Sequence, residues 1–311
     1  MFIKQAYGKN FDFIKYLPIP VVFLGLLLLN YAAIVVMNID VEQLLREQIA
    51  EKGKNRVFFE TLLPMVVLLI MLLVWVKFVN KQSITSLTTA RKKTDWGRIW
   101  FSFALWGAIT AALTGIAYGM APENFEINFQ PVPFAILAAI AIVMVPMQTS
   151  FEEYLFRGYL MQGIGVATRS RLLPLVITSL AFGLMHIANP EVGKIGYILL
   201  LYYIGTGFFL GIITLMDDGL ELALGFHAAN NLISALLVTS DWTAFQTHSV
   251  LKDMSIPSAG FDILLPLVIL YPALLYIFSK KYNWNGWKEK LTGRVILNSP
   301  DFANNNDTAH E

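Results

Sequence analysis

Two adjacent glutamates and an arginine, Glu152, Glu153 and Arg157, lie in the stretch TSFEEYLFRGYLMQG, which follows an apolar run at residues 134–147. On an α-helix, residues four apart share a face, whereas adjacent residues diverge by about 100°. Glu153 is therefore predicted to pair with Arg157, whereas Glu152 has Phe156 at that spacing and no local countercharge. An unpaired carboxylate in apolar surroundings is suited to act as a general base. Taken alone, the cluster is more simply explained as ion pairs that cap a helix end.

Two of the four histidines change this interpretation, because they lie inside apolar segments. His186 occurs in LAFGLMHIANP, with Phe182 one turn before it, and His227 occurs in LGFHAANNLI, with Asn231 one turn after it. Each histidine alone is more often a packing residue. Together with the glutamates, these side chains provide an acid, a base and hydrogen-bond donors, which is the set needed to activate water and to stabilise an oxyanion.

The composition indicates an integral membrane protein. The chain is 56% hydrophobic and 14% charged, whereas an average soluble domain is about 25% charged. It contains no cysteine, which excludes a thiol nucleophile, a disulfide framework and thiolate zinc sites. The net charge of +1, without a basic tract interleaved with aromatics, argues against nucleic acid as a partner.

Apolar runs long enough to cross a bilayer recur along the chain, which predicts an all-α, polytopic fold with about eight transmembrane helices. The predicted spans are residues 17–37, 58–79, 99–121, 133–151, 172–188, 195–216, 221–239 and 261–279. Ionisable residues inside such helices are costly in lipid and normally face a protein interior or a watery cavity. The candidate residues just after the fourth span and on the fifth and seventh spans are therefore expected to face one another.

The basic residues predict the orientation, because cytoplasmic loops carry an excess of lysine and arginine. With the N-terminus in the cytoplasm, 17 of the 23 Lys and Arg residues fall on the cytoplasmic side. Both termini are therefore predicted to be cytoplasmic, and the cell (inner) membrane is the expected location.

Four regions follow from these patterns. N-terminal helices and loops occupy residues 1–133, a core with the candidate residues occupies 134–240, a last helix with a basic flank occupies 241–294, and a polar, disordered tail occupies 295–311. Residues 38–57 within the first region are predicted to contain a short interfacial helix.

Three spaced motifs resemble a known family. EEYLFR has the spacing Glu-Glu-x-x-x-Arg, FGLMH has Phe-x-x-x-His, and HAANN has His-x-x-x-Asn. In order and spacing they resemble the motifs of the CPBP intramembrane proteases, also called Abi, which include the type II CAAX prenyl endopeptidases related to Rce1. The motif region covers about residues 134–240, and the flanking helices match only in general hydropathy.

The resemblance implies an intramembrane endopeptidase, with a helical bundle around a conical catalytic cavity that opens toward the cytoplasm. It implies that Glu152, with His186, activates a water for attack on a peptide carbonyl, and that His227 and Asn231 bind the oxyanion. The residues expected to orient and balance this site, or to form its wall, are Glu153, Arg157 and Phe182. Membrane lipid and a membrane-embedded or lipidated protein or peptide are the implied partners.

Two other classes of function remain open, together with a zinc-dependent form of the reaction. A non-catalytic immunity or scaffold protein would keep the fold without the reaction, and a proton-coupled transporter would also place Glu, Arg and His in the membrane, although no repeated halves are visible. We expect no metal or other cofactor. Glu152, His186 and His227 would nevertheless form a common ligand set for hydrolytic zinc.

Overall fold

A computed structural model describes residues 1–257, 260 and 263–297 of the chain. Within these residues the α-helices are α1 (Pro18–Val36), α2 (Val41–Lys52), α3 (Lys54–Phe78), α4 (Ile84–Thr88), α5 (Trp96–Met120), α6 (Pro131–Glu153), α7 (Met161–Thr168), α8 (Leu172–Leu184), α9 (Pro190–Ile195), α10 (Leu199–Asp217), α11 (Glu221–Leu237), α12 (Tyr271–Lys281) and α13 (Trp287–Thr292). Shorter helical turns are the 3-10 segments Ile3–Ala6, Phe13–Tyr16 and Pro122–Asn124 and the π-helical segments Tyr154–Leu160 and Pro266–Leu270.

The helix ends have local causes in the sequence. Asp40 accepts the backbone N–H of Gln43 and so caps α2, and the side chain of Asp95 likewise accepts N–H groups of the first turn of α5. Gly53 ends α2 with a φ of 83°, a conformation that glycine adopts without steric cost. These caps separate the short helix α2, which buries none of its residues, from the long apolar helix α3.

The structure confirms an all-α, polytopic membrane protein. Each of the eight predicted spans overlaps a helix: α1, α3, α5, α6, α8, α10, α11, and the π-helical segment at 266–270 with α12. Among the described residues, five helical stretches are long and apolar enough to cross a membrane, namely Phe13–Val36, Lys54–Phe78, Trp96–Met120, Pro131–Thr168 and Leu199–Asp217. The shorter helices α8, α11 and α12 complete the bundle. Residues 261 and 262 at the start of the eighth predicted span, and 298–311 of the predicted tail, lie outside the described residues.

A small sheet was not predicted. Strands β1 (Phe125–Ile127), β2 (Val238–Thr239) and β3 (Leu251–Asp253) form a three-stranded sheet in the order β1-β3-β2. Strand β3 pairs antiparallel with β1 and parallel with β2. Strands of two or three residues are too short to show an alternating pattern in sequence, so periodicity does not predict them.

Helix α11 packs against α5, α6 and α10, and α10 also packs against α8. Gly207 on α10 allows the close contact between α10 and α8, since a Cβ atom at this position would lie 2.7 Å from the backbone oxygen of Ser179 on α8. Helix α6 continues without a break through the π-helical segment at 154–160 into α7. The three motif segments are therefore carried by neighbouring helices.

Helix α1 is attached to the bundle much less closely. Only Pro20 and Phe23 of this helix are buried. Leu28, Leu29 and Val36 are exposed apolar residues, and in a membrane they would face lipid rather than protein. Lipid therefore provides most of the surroundings of α1.

The predicted orientation can be tested directly, because a chain without cysteine needs no other change before single-cysteine labelling. Asn285 and Asn124 are both exposed and lie at opposite ends of the bundle according to the predicted topology. We expect a membrane-impermeant maleimide to label Asn124→Cys in intact cells, and to label Asn285→Cys only after the membrane is opened. The reverse pattern would invert the topology.

Candidate active site

The two glutamates occupy different positions, as their helical spacing predicts. Glu153 and Arg157 are fully buried, and Arg157 Nη1 donates to Glu153 Oε1 at 3.1 Å. Arg157 Nη2 also donates to the backbone oxygen of Gly207 at 3.2 Å. This ion pair joins the end of α6 to α10, so it anchors the candidate site to the bundle.

The ring of Phe182 packs against the arginine of this ion pair. The Arg157 guanidinium lies 4.0 Å from the centroid of the Phe182 ring, an arrangement in which the ring face attracts the cation. The same ring has its centroid 5.1 Å from that of His186 and 5.8 Å from that of His227. Phe182 therefore contacts both histidines as well as the arginine.

His227 lies between the two carboxylates. Its Nδ1 is 2.8 Å from Glu153 Oε1, and its Nε2 is 3.8 Å from Glu152 Oε2. The first distance is a hydrogen bond, whereas the second is too long for one but allows a single water to contact both atoms. His227 on α11 is thus held in place by Glu153, and its second nitrogen faces Glu152.

Glu152 has one oxygen bound and one oxygen free. Its Oε1 accepts a hydrogen bond from Gln148, which lies one turn earlier on α6. Its Oε2 is buried and has no hydrogen-bond partner among the residues that the structure describes. An unpaired, buried carboxylate oxygen is costly in a protein interior, so its retention indicates a functional role or a bound water.

His186 is oriented from two sides. Its Nδ1 lies 2.8 Å from the backbone oxygen of Phe182, so Nδ1 carries the hydrogen and Nε2 is left as an acceptor. The ring of Tyr203 stacks on the imidazole, with a centroid distance of 4.2 Å and an angle of 9° between the planes. The Tyr203 hydroxyl in turn donates to Glu191 Oε1 at 2.8 Å. These contacts fix the plane of His186 in the cavity wall.

A cavity of about 530 Å³ connects these groups. Glu152, His186 and Asn231 are among the residues that line it, and His227 lies next to Glu152, with its Nε2 3.8 Å from Glu152 Oε2. The side chain of Asn231 donates from Nδ2 to Gln148 Oε1 at 3.3 Å. One cavity therefore brings together an unpaired carboxylate oxygen, an imidazole acceptor and an amide donor.

The cavity extends from Glu152 toward one end of the bundle. Its lining includes Glu191, Thr243 and Asp253, from segments that the basic residues place outside the cytoplasm. On the other side of Glu152 the chain is closely packed, with Leu87 and Leu220 over Gly158 of the π-helical segment. The predicted cytoplasmic termini and the predicted cytoplasmic opening of the cavity therefore exclude each other, and both stay predictions.

Several polar residues of this site were not singled out from the sequence. Gln148 has a usable signal, because it lies four residues before Glu152 and shares its helix face. Asn230 also has one, because it lies inside the motif HAANN next to Asn231. Tyr203 and Glu191 had no signal, since their contacts with His186 and with each other depend on tertiary structure.

The fold and this site define the class: a polytopic helical membrane protein with a buried carboxylate, histidine and amide cluster in its interior. A family model described as type II CAAX prenyl endopeptidase Rce1-like matches residues 131–233. An uncharacterized protein of Bacillus subtilis strain 168, YyaK, is 30% identical over 220 residues, which cover 68% of this chain and 74% of that protein. No solved structure gives a significant match.

The chain therefore belongs to the Rce1-like family of type II CAAX prenyl endopeptidases. At the level of the family this is a protease of membranes, acting on membrane-associated substrates. The matched residues run from the start of α6 into α11 and include every residue proposed from the motifs.

Proposed function

We propose that this protein is an intramembrane endopeptidase that hydrolyses a peptide bond of a membrane-embedded or lipidated protein or peptide with a water activated by Glu152. The observation that carries the proposal is the free Oε2 of Glu152, buried and without a partner among the described residues, in a cavity also lined by His186 and Asn231. A carboxylate in that position is suited to accept a proton from water. Family membership gives independent support.

In the proposed reaction, the water is held between Glu152 Oε2 and the acceptor Nε2 of His186. Glu152 takes one proton as the water oxygen bonds to the carbonyl carbon, and the carbonyl oxygen becomes an oxyanion. Asn231 donates an amide N–H to that oxygen, and His227 donates from Nε2 in its doubly protonated form. The carbon–nitrogen bond then breaks, and the proton on Glu152 passes to the leaving amine.

The buried pair has a supporting role in this proposal. Glu153 accepts from both Arg157 and His227, so it fixes the imidazole while its charge is balanced by the guanidinium. Both termini are proposed to lie in the cytoplasm and the bundle in the cell membrane, as the lysine and arginine distribution indicates.

The test compares membranes of cells that carry the native protein or the Glu152→Ala variant at equal abundance. Mass spectrometry of protein termini is expected to find a peptide boundary that is present with the native protein and absent with the variant. That boundary would identify both a substrate and its cleavage site. Identical sets of termini, with both proteins folded in the membrane, would refute the proposal.

The reaction is further proposed to need no metal. His227 Nδ1 is already bound to Glu153 Oε1 at 2.8 Å, and the two histidines lack the i, i+4 spacing of helix-borne zinc motifs. Asn231 is also a better donor to an oxyanion than a ligand for a cation.

We therefore expect the purified protein to cleave its substrate peptide at an unchanged rate in the presence of a zinc chelator. Stoichiometric zinc, measured by mass spectrometry, whose removal stops cleavage and whose return restores it would contradict this prediction. Glu152, His186 and His227 would then be assigned as the zinc ligands.

A further inference from the structure

A row of hydrogen-bonded side chains leads from α5 through α11 to Glu152. Trp106 Nε1 donates to Asn230 Oδ1 at 3.0 Å, and Asn230 Nδ2 donates to Asn231 Oδ1 at 3.0 Å. Asn231 Nδ2 donates to Gln148 Oε1 at 3.3 Å, and Gln148 Nε2 donates to Glu152 Oε1. Three amides thus connect an indole to the proposed general base.

The direction of every bond in this row follows from its first member. An indole N–H is a donor only, so Asn230 must turn its oxygen toward Trp106. Its amide nitrogen then faces Asn231, which must accept through oxygen and donate through nitrogen. For the same reason Gln148 accepts from Asn231 through its oxygen and donates an N–H group to Glu152.

Reversing the row would harm the site at two places. An amide has nearly the same shape when its oxygen and nitrogen are exchanged, so packing alone does not select one orientation. In the reversed row, Gln148 would place its oxygen against the Glu152 carboxylate, where two acceptors repel. Asn231 would turn its nitrogen toward Asn230 and its oxygen toward Gln148. Its N–H groups would then no longer be directed to the cavity side.

We propose that Trp106, Asn230 and Gln148 are positioning residues that set the orientation of the amides at the active site. The inference rests on the proposed function of Glu152 and Asn231, and it adds a cause for their orientation. Trp106 is suited to the role because it is buried, with its ring centroid 4.6 Å from that of Phe226, so its indole cannot turn away easily. The row also runs from α5 to α11 to α6, so its hydrogen bonds hold three helices in fixed relative positions.

The decisive variant is Asn230→Asp. An aspartate still accepts from Trp106 but cannot donate to Asn231, so Asn231 is expected to donate to it and the rest of the row to reverse. We expect kcat for the identified substrate peptide to fall by about 10- to 100-fold, because a misplacement of about 1 Å at the reacting groups can cost about 100-fold, with KM changed less than about threefold. Residue 230 would thereby act on Glu152 without touching it.

A double-mutant cycle separates positioning from packing. Trp106→Phe removes the N–H but retains an aromatic ring, and Asn230→Leu removes the first amide. We expect Trp106→Phe to lower kcat about 3- to 10-fold in the native background and not at all in the Asn230→Leu background, because the indole acts only through that amide. Trp100→Phe, an exposed tryptophan on the same helix, is the control and should retain the native rate.

A measurement without substrate keeps the inference testable by itself. With the tryptophans labelled with nitrogen-15, the indole N–H of Trp106 is assigned by its loss in Trp106→Phe. We expect this signal to exchange with deuterated solvent at least 100-fold more slowly than that of Trp100, and to shift in Asn230→Asp. Exchange as fast as at Trp100 would overturn the inference.

The outcomes distinguish the inference from the proposed function. If Glu152→Ala leaves all peptide boundaries intact, the proposed function fails, and the indole signal still decides whether the row exists. If Glu152→Ala abolishes a cleavage that Asn230→Asp and Trp106→Phe perform at the native rate, the inference fails and the proposed function stands.

Discussion

Glu152→Gln is expected to abolish measurable cleavage while leaving the folded protein nearly as stable as the native one. Glutamine has the shape of glutamate, and its side-chain oxygen can still accept the N–H of Gln148 that Glu152 Oε1 accepts. It cannot take a proton from water, and loss of a general base typically lowers a rate by about 100- to 10,000-fold. Initial rates with the identified substrate peptide and thermal melts in detergent measure the two effects.

Asp253→Asn is the matched control for charge. Asp253 lies on β3 and lines the same cavity, so its substitution also removes one negative charge from the lining. A catalytic role for Glu152 predicts that only Glu152→Gln loses activity. Equal losses in both variants would indicate that the charge of the cavity matters for binding, and Glu152 would lose its assignment as the base.

Glu153→Ala is expected to damage folding rather than the chemical step alone. The substitution leaves Arg157 fully buried without its carboxylate and removes the acceptor of His227 Nδ1. Removing one partner of a buried ion pair costs about 3–5 kcal/mol, because the remaining charge has lost its compensation. We therefore expect a clearly lower melting temperature in detergent, and less protein recovered in the membrane than for Glu152→Gln.

Glu60→Ala provides the control for this second substitution. Glu60 also pairs with an arginine four residues away, Arg56 at 2.9 Å, but both side chains are accessible on α3. Exposed pairs contribute little to stability, so this variant should melt close to the native protein. If Glu152→Gln proved less stable than Glu153→Ala, the structural role would belong to Glu152, and the two glutamates would exchange functions.

The spacing of residues along a helix was sufficient to predict which side chains of the site share a face of the same helix. The spacing of Glu153 and Arg157 predicted their pairing, and the spacing of His227 and Asn231 predicted a shared helix face. Periodicity and hydropathy predicted the helical membrane fold for the same reason, since both depend on residues that are near one another in sequence. The eight predicted spans accordingly overlap helices of the bundle.

Contacts between helices were not predictable in this way. The sequence offers no reason why Tyr203 should stack on His186, or why Trp106 should bind Asn230, because these pairs are set by helix packing and by the position of each helix along its axis. The side on which the cavity lies also depends on packing, here on Leu87 and Leu220 over Gly158. The residue roles that the family resemblance implies stay predictions.

The loose attachment of α1 has a consequence for how relatives of this protein can diverge. A helix whose neighbours are mostly lipid tails must only be apolar and long enough, so many sequences satisfy its requirements equally well. Substitutions among leucine, isoleucine and valine at Leu28, Leu29 or Val36 should accumulate almost freely, whereas Phe23, whose ring lies 5.0 Å from that of Phe151, should change slowly. Sequence drift in this family is therefore expected to be fastest in α1 and slowest where helices touch helices.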